Sequence, residues 1–309
     1  MAVLITGGAG FIGSNIATAL VDMDYDVRII DNFSTGKKEN ISGLDGNVEV
    51  IKGDIRDNKI LEKNLTDVEI ILHQAALTSV PRSIKNPQRS NDSNILGSLT
   101  MLTAAVKKEV GAVVYASSSS AYGDTPILPK RETMKPTPLS PYAVTKLAGE
   151  VYCKVFSEVY GLRTVSLRYF NVYGPRQDPL SQYAAVIPRF ISAILKGKRP
   201  MIYGDGEQTR DFTYVKDVVE ANILAMRKGR KGEVYNIGRG ERVTINALAE
   251  KICEITGIKV KPEHVDPRKG DVRHSLADIS KAKKDLGYEP RYTLEEGLAE
   301  TIEWFSKNE

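Results

Sequence analysis

Short apolar runs, each closed by small or acidic residues, punctuate the first half of the chain. Ala2-Val3-Leu4-Ile5-Thr6 comes first, followed by Asp26-Val27-Arg28-Ile29-Ile30 and Val48-Glu49-Val50-Ile51. Glu69-Ile70-Ile71-Leu72-His73, Ala112-Val113-Val114-Tyr115 and Thr164 to Tyr169 continue the series. Runs this short and this apolar fit strands covered on both faces. Segments of helical period lie between them: Ser14 to Val21, about Asn86 to Lys108, and one opening at Ser140-Pro141, where a side-chain oxygen and a proline suit a helix start. Strand and helix in alternation predict a doubly wound parallel sheet of about seven strands flanked by helices. Farther on, Asp278 caps a helix, and Thr293-Leu294-Glu295-Glu296 reads as a capping box before a final amphipathic helix.

Chemistry enters at the turns. Gly7-Gly8-Ala9-Gly10-Phe11-Ile12-Gly13 follows the first strand, and its glycines fit G-x-G-x-x-G and the looser G-x-x-G-x-x-G. Either register permits a tight turn, close approach of a pyrophosphate, and a helix N-terminus aimed at its charge. The second strand ends in Asp31, 18 residues beyond Gly13, where a carboxylate accepts hydrogen bonds from ribose hydroxyls and repels a 2'-phosphate. The cofactor expected is NAD, on a Rossmann-type sheet. Asp54 ends the third strand, where it could meet the adenine edge, and Gln74, Ala75 and Ala76 follow the fourth with small side chains. His73 reads as a packed strand-end residue. Ser117 to Ser120 stand at the end of the fifth strand, the edge where open α/β sheets bind ligands.

Composition narrows the setting. The chain has 309 residues, 41% of them hydrophobic, enough for a large core in two lobes. Lys and Arg number 43 against 39 Asp and Glu with no basic run, so neither nucleic acid nor a membrane surface is indicated. Cys153 and Cys253 stand alone in helical stretches, and His264 and His274 lack partners at metal-ligand spacing, so no disulfide and no metal are expected. The start of the chain lacks the features of a signal peptide, and no apolar run is long enough to span a bilayer; a cytoplasmic location is the expectation.

Tyr142 and Lys146 are four apart, hence on one face of the helix that Ser140-Pro141 opens. An ammonium beside a phenol favours the phenolate and lowers a pKa of about 10 toward a working base. The same spacing also fits an aromatic stem covered by a lysine stem. With Asp31-Asn32-Phe33-Ser34-Thr35-Gly36, Gly53-Asp54-Ile55, the serine stretch, Arg168-Tyr169-Phe170-Asn171-Val172-Tyr173-Gly174-Pro175, Gly204-Asp205-Gly206 and Arg210-Asp211-Phe212, the chain resembles the extended short-chain dehydrogenase/reductase family along essentially its whole length, and within it the nucleotide-sugar 4-epimerases.

That resemblance implies a set of roles. Ser118, Tyr142 and Lys146 are the catalytic group. Gly7, Gly10, Phe11, Ile12, Gly13, the Asp31 to Gly36 loop, Asp54, Ile55, Gln74, Ala75, Ala76, Asn94 and Tyr169 line the NAD site, with Asn94 supporting the nicotinamide side. Ser79, Ser119, Ser120, Asn171, Ala185, Val186, Tyr203, Arg210, Arg268 and Ser275 meet the UDP-sugar, Arg210 and Arg268 at its diphosphate. Related dehydratases carry Asp-Glu after the catalytic Ser/Thr; here Ser119 and Ser120 stand there, which leaves 4-epimerisation through a 4-keto sugar. Relatives restricted to UDP-glucose and UDP-galactose tend to have Tyr at the position of Ser275, so the serine implies room for a 2-acetamido group. UDP-N-acetylglucosamine and UDP-N-acetylgalactosamine are therefore the expected pair, with the plain sugars beside them. UDP-glucuronate 4-epimerisation or decarboxylation and an NAD-binding regulator are the alternatives. Residues 1–170 should form the NAD-binding lobe, with 203–234 returning to it, and 171–309 mainly a smaller C-terminal α/β substrate-binding lobe. A homodimer through a four-helix bundle, built from the helices near Asn86 and Tyr142, completes the expectation.

Overall fold

The computed structural model describes residues 1–179, 185–267 and 272–308. In chain order the first elements are β1 (Ala2–Thr6), α1 (Phe11–Val21), β2 (Asp26–Asp31), β3 (Val48–Lys52), α2 (Asn58–Asn64) and β4 (Val68–His73). Next come α3 (Val80–Lys85), α4 (Pro87–Asn91), α5 (Gly97–Lys107), β5 (Ala112–Ser118), α6 (Pro141–Tyr160) and β6 (Arg163–Tyr169). The remainder comprises β7 (Val172–Tyr173), α7 (Val186–Leu195), β8 (Met201–Tyr203), β9 (Thr209–Arg210), β10 (Thr213–Tyr214) and α8 (Val215–Lys228). The chain closes with β11 (Glu233–Ile237), β12 (Val243–Thr244), α9 (Ile245–Thr256), β13 (Glu263–Val265), α10 (Ser280–Leu286) and α11 (Leu294–Asn308).

Seven strands form one parallel sheet in the order β11-β6-β5-β4-β1-β2-β3. The order reverses at β1, and that switch point is where ligands bind in open α/β sheets. Side chains of β1 explain why its run is apolar throughout: Val3 and Ile5 enter the core on one face, Leu4 the core on the other. The register pairs Thr6 with Ile30 and His73, His73 with Tyr115, and Ser118 with Tyr169. Gly7, Asp31, Gln74 and Ser118 thereby emerge along one edge.

A third apolar cluster, including Ile187, Phe190, Ile191, Leu248, Ile252, Leu298 and Phe305, gathers α7, α9 and α11 beyond that edge. Short pairs β8 with β13 and β9 with β12 connect its loops. Late segments also return to the large sheet: β11 pairs with β6, and α8 packs on α1. The capping box at Thr293 is formed both ways: Thr293 N donates to Glu296 Oε2 (2.8 Å) and Glu296 N to Thr293 Oγ1 (3.2 Å).

The single helix expected from Asn86 to Lys108 is instead α4, a π-helical turn over Asp92–Leu96, and α5. The wider turn carries Asn94, whose Oδ1 accepts from Leu77 N (2.7 Å) while Nδ2 donates to Leu77 O (3.1 Å) and Thr145 Oγ1 (3.0 Å). One side chain thus fastens the turn to the end of β4 and to α6. Turns of this type are frequent at functional sites.

Candidate active site

A cavity of about 1180 Å³ runs along the carboxyl edge of the sheet and under the third cluster. At one end the chain folds back tightly. Gly7 adopts φ +71° with Ala75 behind it, and a Cβ on Gly13 would stand 2.3 Å from Gly7 O. No side chain caps the N-terminus of α1 and its first turn holds no acid. Uncapped amide donors there suit an anion. Asp31 lies beside them, 7% exposed, with Oδ2 accepting from Ala9 N (3.0 Å) and Oδ1 from Phe33 N (2.8 Å). Burial raises its carboxyl, and those two amides pull the other way. Gly36 has to be glycine, since a Cβ would sit 2.7 Å from Asp31 Oδ2.

Asn32 Nδ2 donates to Asp54 Oδ2 (2.9 Å), and Arg56 grips Asp54 through Nε and Nη2 (2.9 Å each), so Asp54 is held below the usual carboxylate range. Gln74 Nε2 donates to Tyr169 OH (3.1 Å) and Asn222 Oδ1 (3.0 Å), which fixes the floor between β4 and β6.

Ser118, Tyr142 and Lys146 all line this cavity. Ser140 Oγ caps α6 at Ala143 N (3.2 Å), and Tyr142 N donates to Ser83 Oγ (3.0 Å). Those bonds fix where the first turn starts. Ser118 Oγ accepts from Ser120 N (3.2 Å) and Ser120 Oγ (2.9 Å). Burial pushes the Tyr142 hydroxyl up to about 12, while a hydrogen bond with Ser118 lowers it. Lys146 Nζ donates to Ala116 O (2.7 Å) and lies 5.2 Å from the Tyr115 ring centroid. Burial brings the lysine down to about 8, with Glu150 acting against it. The lowering expected from Lys146 is not what sets the Tyr142 hydroxyl in the protein alone: desolvation outweighs the hydrogen bond with Ser118, and the Lys146 ammonium donates to a β5 carbonyl.

On the far side, Ser275 N donates to Thr209 O (3.1 Å) and Thr209 Oγ1 meets His274 Nδ1 (2.9 Å), which lays the 272–278 strap along β9. Arg210 Nη1 donates to Thr209 O (2.9 Å) and Arg273 O (3.2 Å).

With this geometry in place, comparison with known proteins is decisive. Residues 3–238 match the NAD dependent epimerase/dehydratase family. The chain belongs to that family. A putative UDP-glucose 4-epimerase of Methanocaldococcus jannaschii is 42% identical over 308 residues, 99% of each chain. The UDP-N-acetylglucosamine 4-epimerase of Methanobrevibacter ruminantium M1, solved with UDP-N-acetylmuramic acid, superposes with a TM-score of 0.96 at 47% identity, covering 100% of this chain and 99% of that one. The UDP-glucose 4-epimerase of Thermotoga maritima, solved with UDP-glucose, gives 0.96 at 44%, again over 100% and 99%. NAD is the cofactor of this epimerase-family enzyme, and the glycine cradle, the uncapped α1 and Asp31 fit it.

Nearly all the residues singled out from the sequence line this cavity: Gly7, Gly10, Phe11, Ile12, Gly13, Asp31, Asn32, Phe33, Ser34, Thr35, Gly36, Asp54, Ile55, Gln74, Ala75, Ala76 and Tyr169, expected at the cofactor; Ser118, Tyr142 and Lys146, expected at the reacting carbon; and Ser79, Ser119, Ser120, Asn171, Ala185, Val186, Tyr203, Arg210 and Ser275, expected at the UDP-sugar. Asn94 is corrected. It is 1% exposed and bonded to Leu77 and Thr145, so it supports the wall from behind instead of contacting a ligand. Arg268 lies outside the described residues. Ser79 holds φ +98°, a strained backbone that a serine rarely adopts, as the cap of α3.

Sequence reading missed other lining residues. Arg189 stacks on Tyr203 with its Cζ 5.4 Å from the ring centroid, and Gln208 Nε2 donates to Tyr203 O (2.7 Å) while its buried Oε1 has no hydrogen-bond partner. Lys37, next to Gly36 in the loop after β2, reaches Asp178 (3.2 Å) beyond β7. The signal for that pair was present, since Lys37 directly follows Gly36 and Asp178 lies just beyond the Asn171 to Pro175 motif. Arg189 gave none, because on an amphipathic helix it reads as a solvated polar position. Among the described residues no group of His, Cys, Asp and Glu forms a metal site, and no helix is long and apolar enough to cross a membrane.

Proposed function

We propose that this enzyme interconverts UDP-hexoses at C4, with UDP-N-acetylglucosamine and UDP-N-acetylgalactosamine as its principal pair and UDP-glucose and UDP-galactose accepted as well. The observation that carries the reading is that Ser118, Tyr142 and Lys146 line one cavity together with the glycine loop and the Ser275 strap.

Gly7 to Gly13 and Asp31 would hold NAD, which would supply the hydride chemistry at C4. The chain's own residues handle the proton. Tyr142 takes it from the C4 hydroxyl and returns it to the other epimer, with Ser118 hydrogen-bonding the reacting oxygen. A charged Lys146 on the same helix face stabilises the phenolate while it lasts. Ser119 and Ser120 offer hydroxyls where elimination of water needs an acid and a base, so the ketone is reduced again instead of dehydrated.

Between the two hydride steps the keto sugar has to present its other face. Arg210 and Asn171 hold the diphosphate, and Tyr203, Ala185 and Val186 the nucleoside end. Forked guanidinium donors suit that anion. Ser275 contributes a small hydroxyl to the wall, which supports acceptance of the acetamido group.

A dimer is proposed on separate grounds. Val144, Val151, Val155 and Val159 form one stripe along α6, 47%, 56%, 40% and 67% exposed, continued by Leu96 at 49%. An apolar stripe of this extent fits a second copy of the chain.

The test is incubation of purified protein, with no cofactor added, with UDP-N-acetylglucosamine and separately with UDP-glucose, following the C4 epimers by chromatography. Conversion of both, the acetylated sugar at least as fast, is expected. Conversion of UDP-glucose alone would overturn the acetamido assignment; conversion of neither, even with NAD supplied, would overturn the 4-epimerase reading.

A further inference from the structure

Beneath the active site lies a buried ion pair that the chemistry above does not use. Arg168 on β6 donates Nε to Glu150 Oε1 (2.8 Å) and Nη2 to Oε2 (2.7 Å), and both side chains are 4% exposed. Ser117 Oγ donates to the same Oε1. Ser117 directly precedes Ser118, and Glu150 follows Lys146 by one helical turn on the same face of α6. A single carboxylate therefore joins the serine end of β5, the lysine turn of α6 and the end of β6.

The network continues away from the catalytic group. The Arg168 guanidinium covers the Tyr122 ring at 4.6 Å, leaving Nη1 buried without a hydrogen-bond partner. Tyr122 OH donates to Asn236 Oδ1 (2.7 Å), and Asn236 Nδ2 donates to Lys130 O (2.8 Å) and Asp278 O (3.1 Å), at the foot of the Ser275 strap. Buried pairs of this kind add little to stability compared with apolar packing of the same shape. A stability role is thus a weak explanation for placing one here, directly behind Ser118 and Lys146.

We propose that Glu150 is a positioning residue for the reaction: it fixes the separation of Ser118 and Lys146 and supplies the negative charge that faces the lysine. The inference rests on the catalytic reading of Ser118, Tyr142 and Lys146. Among the described residues, the titratable groups around Lys146 are Tyr142 and Glu150 on α6, Tyr115 on β5 and His73 on β4. Glu150 is the carboxylate of that set, and it opposes the burial that brings the lysine down to about 8. Arg168, Ser117, Tyr115 and Cys153 surround Glu150 itself.

The experiment compares the full chain, with its NAD, as wild type, Glu150→Gln and Ser117→Ala. Two readouts are taken: the pH profile of kcat, and the pH dependence of Lys146 acylation by a small amine-reactive reagent, followed by peptide mass. Glu150→Gln should lower kcat on the order of 10-fold or more with KM for the UDP-sugar little changed. Its Lys146 titration and the alkaline limb of kcat should both move down by about one pH unit. Ser117→Ala keeps the charge and removes one tie, so kcat should drop without movement of either pH midpoint. Should Glu150→Gln fail to fold, Ser117→Ala still decides the positioning claim: kcat unchanged overturns it. An unshifted Lys146 midpoint in Glu150→Gln overturns the inference whether or not the enzyme turns over. Absence of epimerisation in the wild type is a separate result, against the proposed function.

Discussion

Tyr142 shows how far a single residue can be read. Its spacing to Lys146 is visible in sequence, and its position beside Ser118 is what the fold adds. Tyr142→Phe keeps the ring and removes the proton carrier, so kcat should fall on the order of 10²-fold to 10⁴-fold while bound NAD is retained, measured by turnover and by release of the dinucleotide on denaturation. Ser275→Tyr should depress kcat/KM for UDP-N-acetylglucosamine at least about 10-fold relative to UDP-glucose; equal losses on both sugars would remove the argument for the serine. The glycines were legible for a local reason. Gly13 packs on a backbone oxygen seven residues or fewer away, so the constraint and its cause sit in one motif. Asn94 was not, because whether an amide faces a cavity or Leu77 and Thr145 depends on a π turn that composition does not encode.

At the scale of elements, two start signals transferred and one did not: the N-cap of α10 is Ile279, with no side-chain cap, and not Asp278. Ser140 and Thr293 both cap as their sequences foretell, since a cap needs only groups within three residues. Thr293→Ala should lower stability by about 1 kcal/mol in urea unfolding with activity intact. The stripe on α6 is a different matter: apolar period identifies a covered face without saying by what. Val151→Glu combined with Val155→Glu should yield a monomer in sedimentation velocity if a second copy covers it, and an unchanged mass in both proteins would exclude that face as the dimer contact.

Over the whole molecule, buried polar groups set the response to pH. His73 accepts at Nδ1 from Thr6 Oγ1 (2.6 Å) and donates from Nε2 to Ser98 Oγ (2.9 Å), whose own proton goes to Asn94 O (2.6 Å). This arrangement uses the neutral imidazole fully. Burial and the Lys146 charge lower its pKa to about 3, against 6.5 in the unfolded chain. The unfolded state then binds the extra proton between those values, so this contribution to stability is full above about 6.5 and declines as pH falls toward 3. His73→Gln should show a smaller loss of urea stability between pH 7.5 and pH 5 than the wild type; equal losses would mean His73 is not the titrating group. Asp211 works in the opposite sense. Burial raises it to about 6 despite bonds from Arg239 N, Gly240 N and Ala277 N, so its contribution to stability grows as pH drops through that value.

The sequence alone determined the alternation of strands and helices, the glycine turn, Asp31 at the end of β2 and the shared helix face of Tyr142 and Lys146, because each rests on contacts within one turn or on a period that the side chains themselves carry. Tertiary structure decided the rest. The strap that brings Ser275 to the same cavity as Ser118, the Arg189 and Tyr203 stack and the Glu150 and Arg168 pair all join residues distant in the chain. Nothing local favours those pairings; they exist because the parallel sheet aligns the carboxyl ends of its strands and the third apolar cluster closes over them.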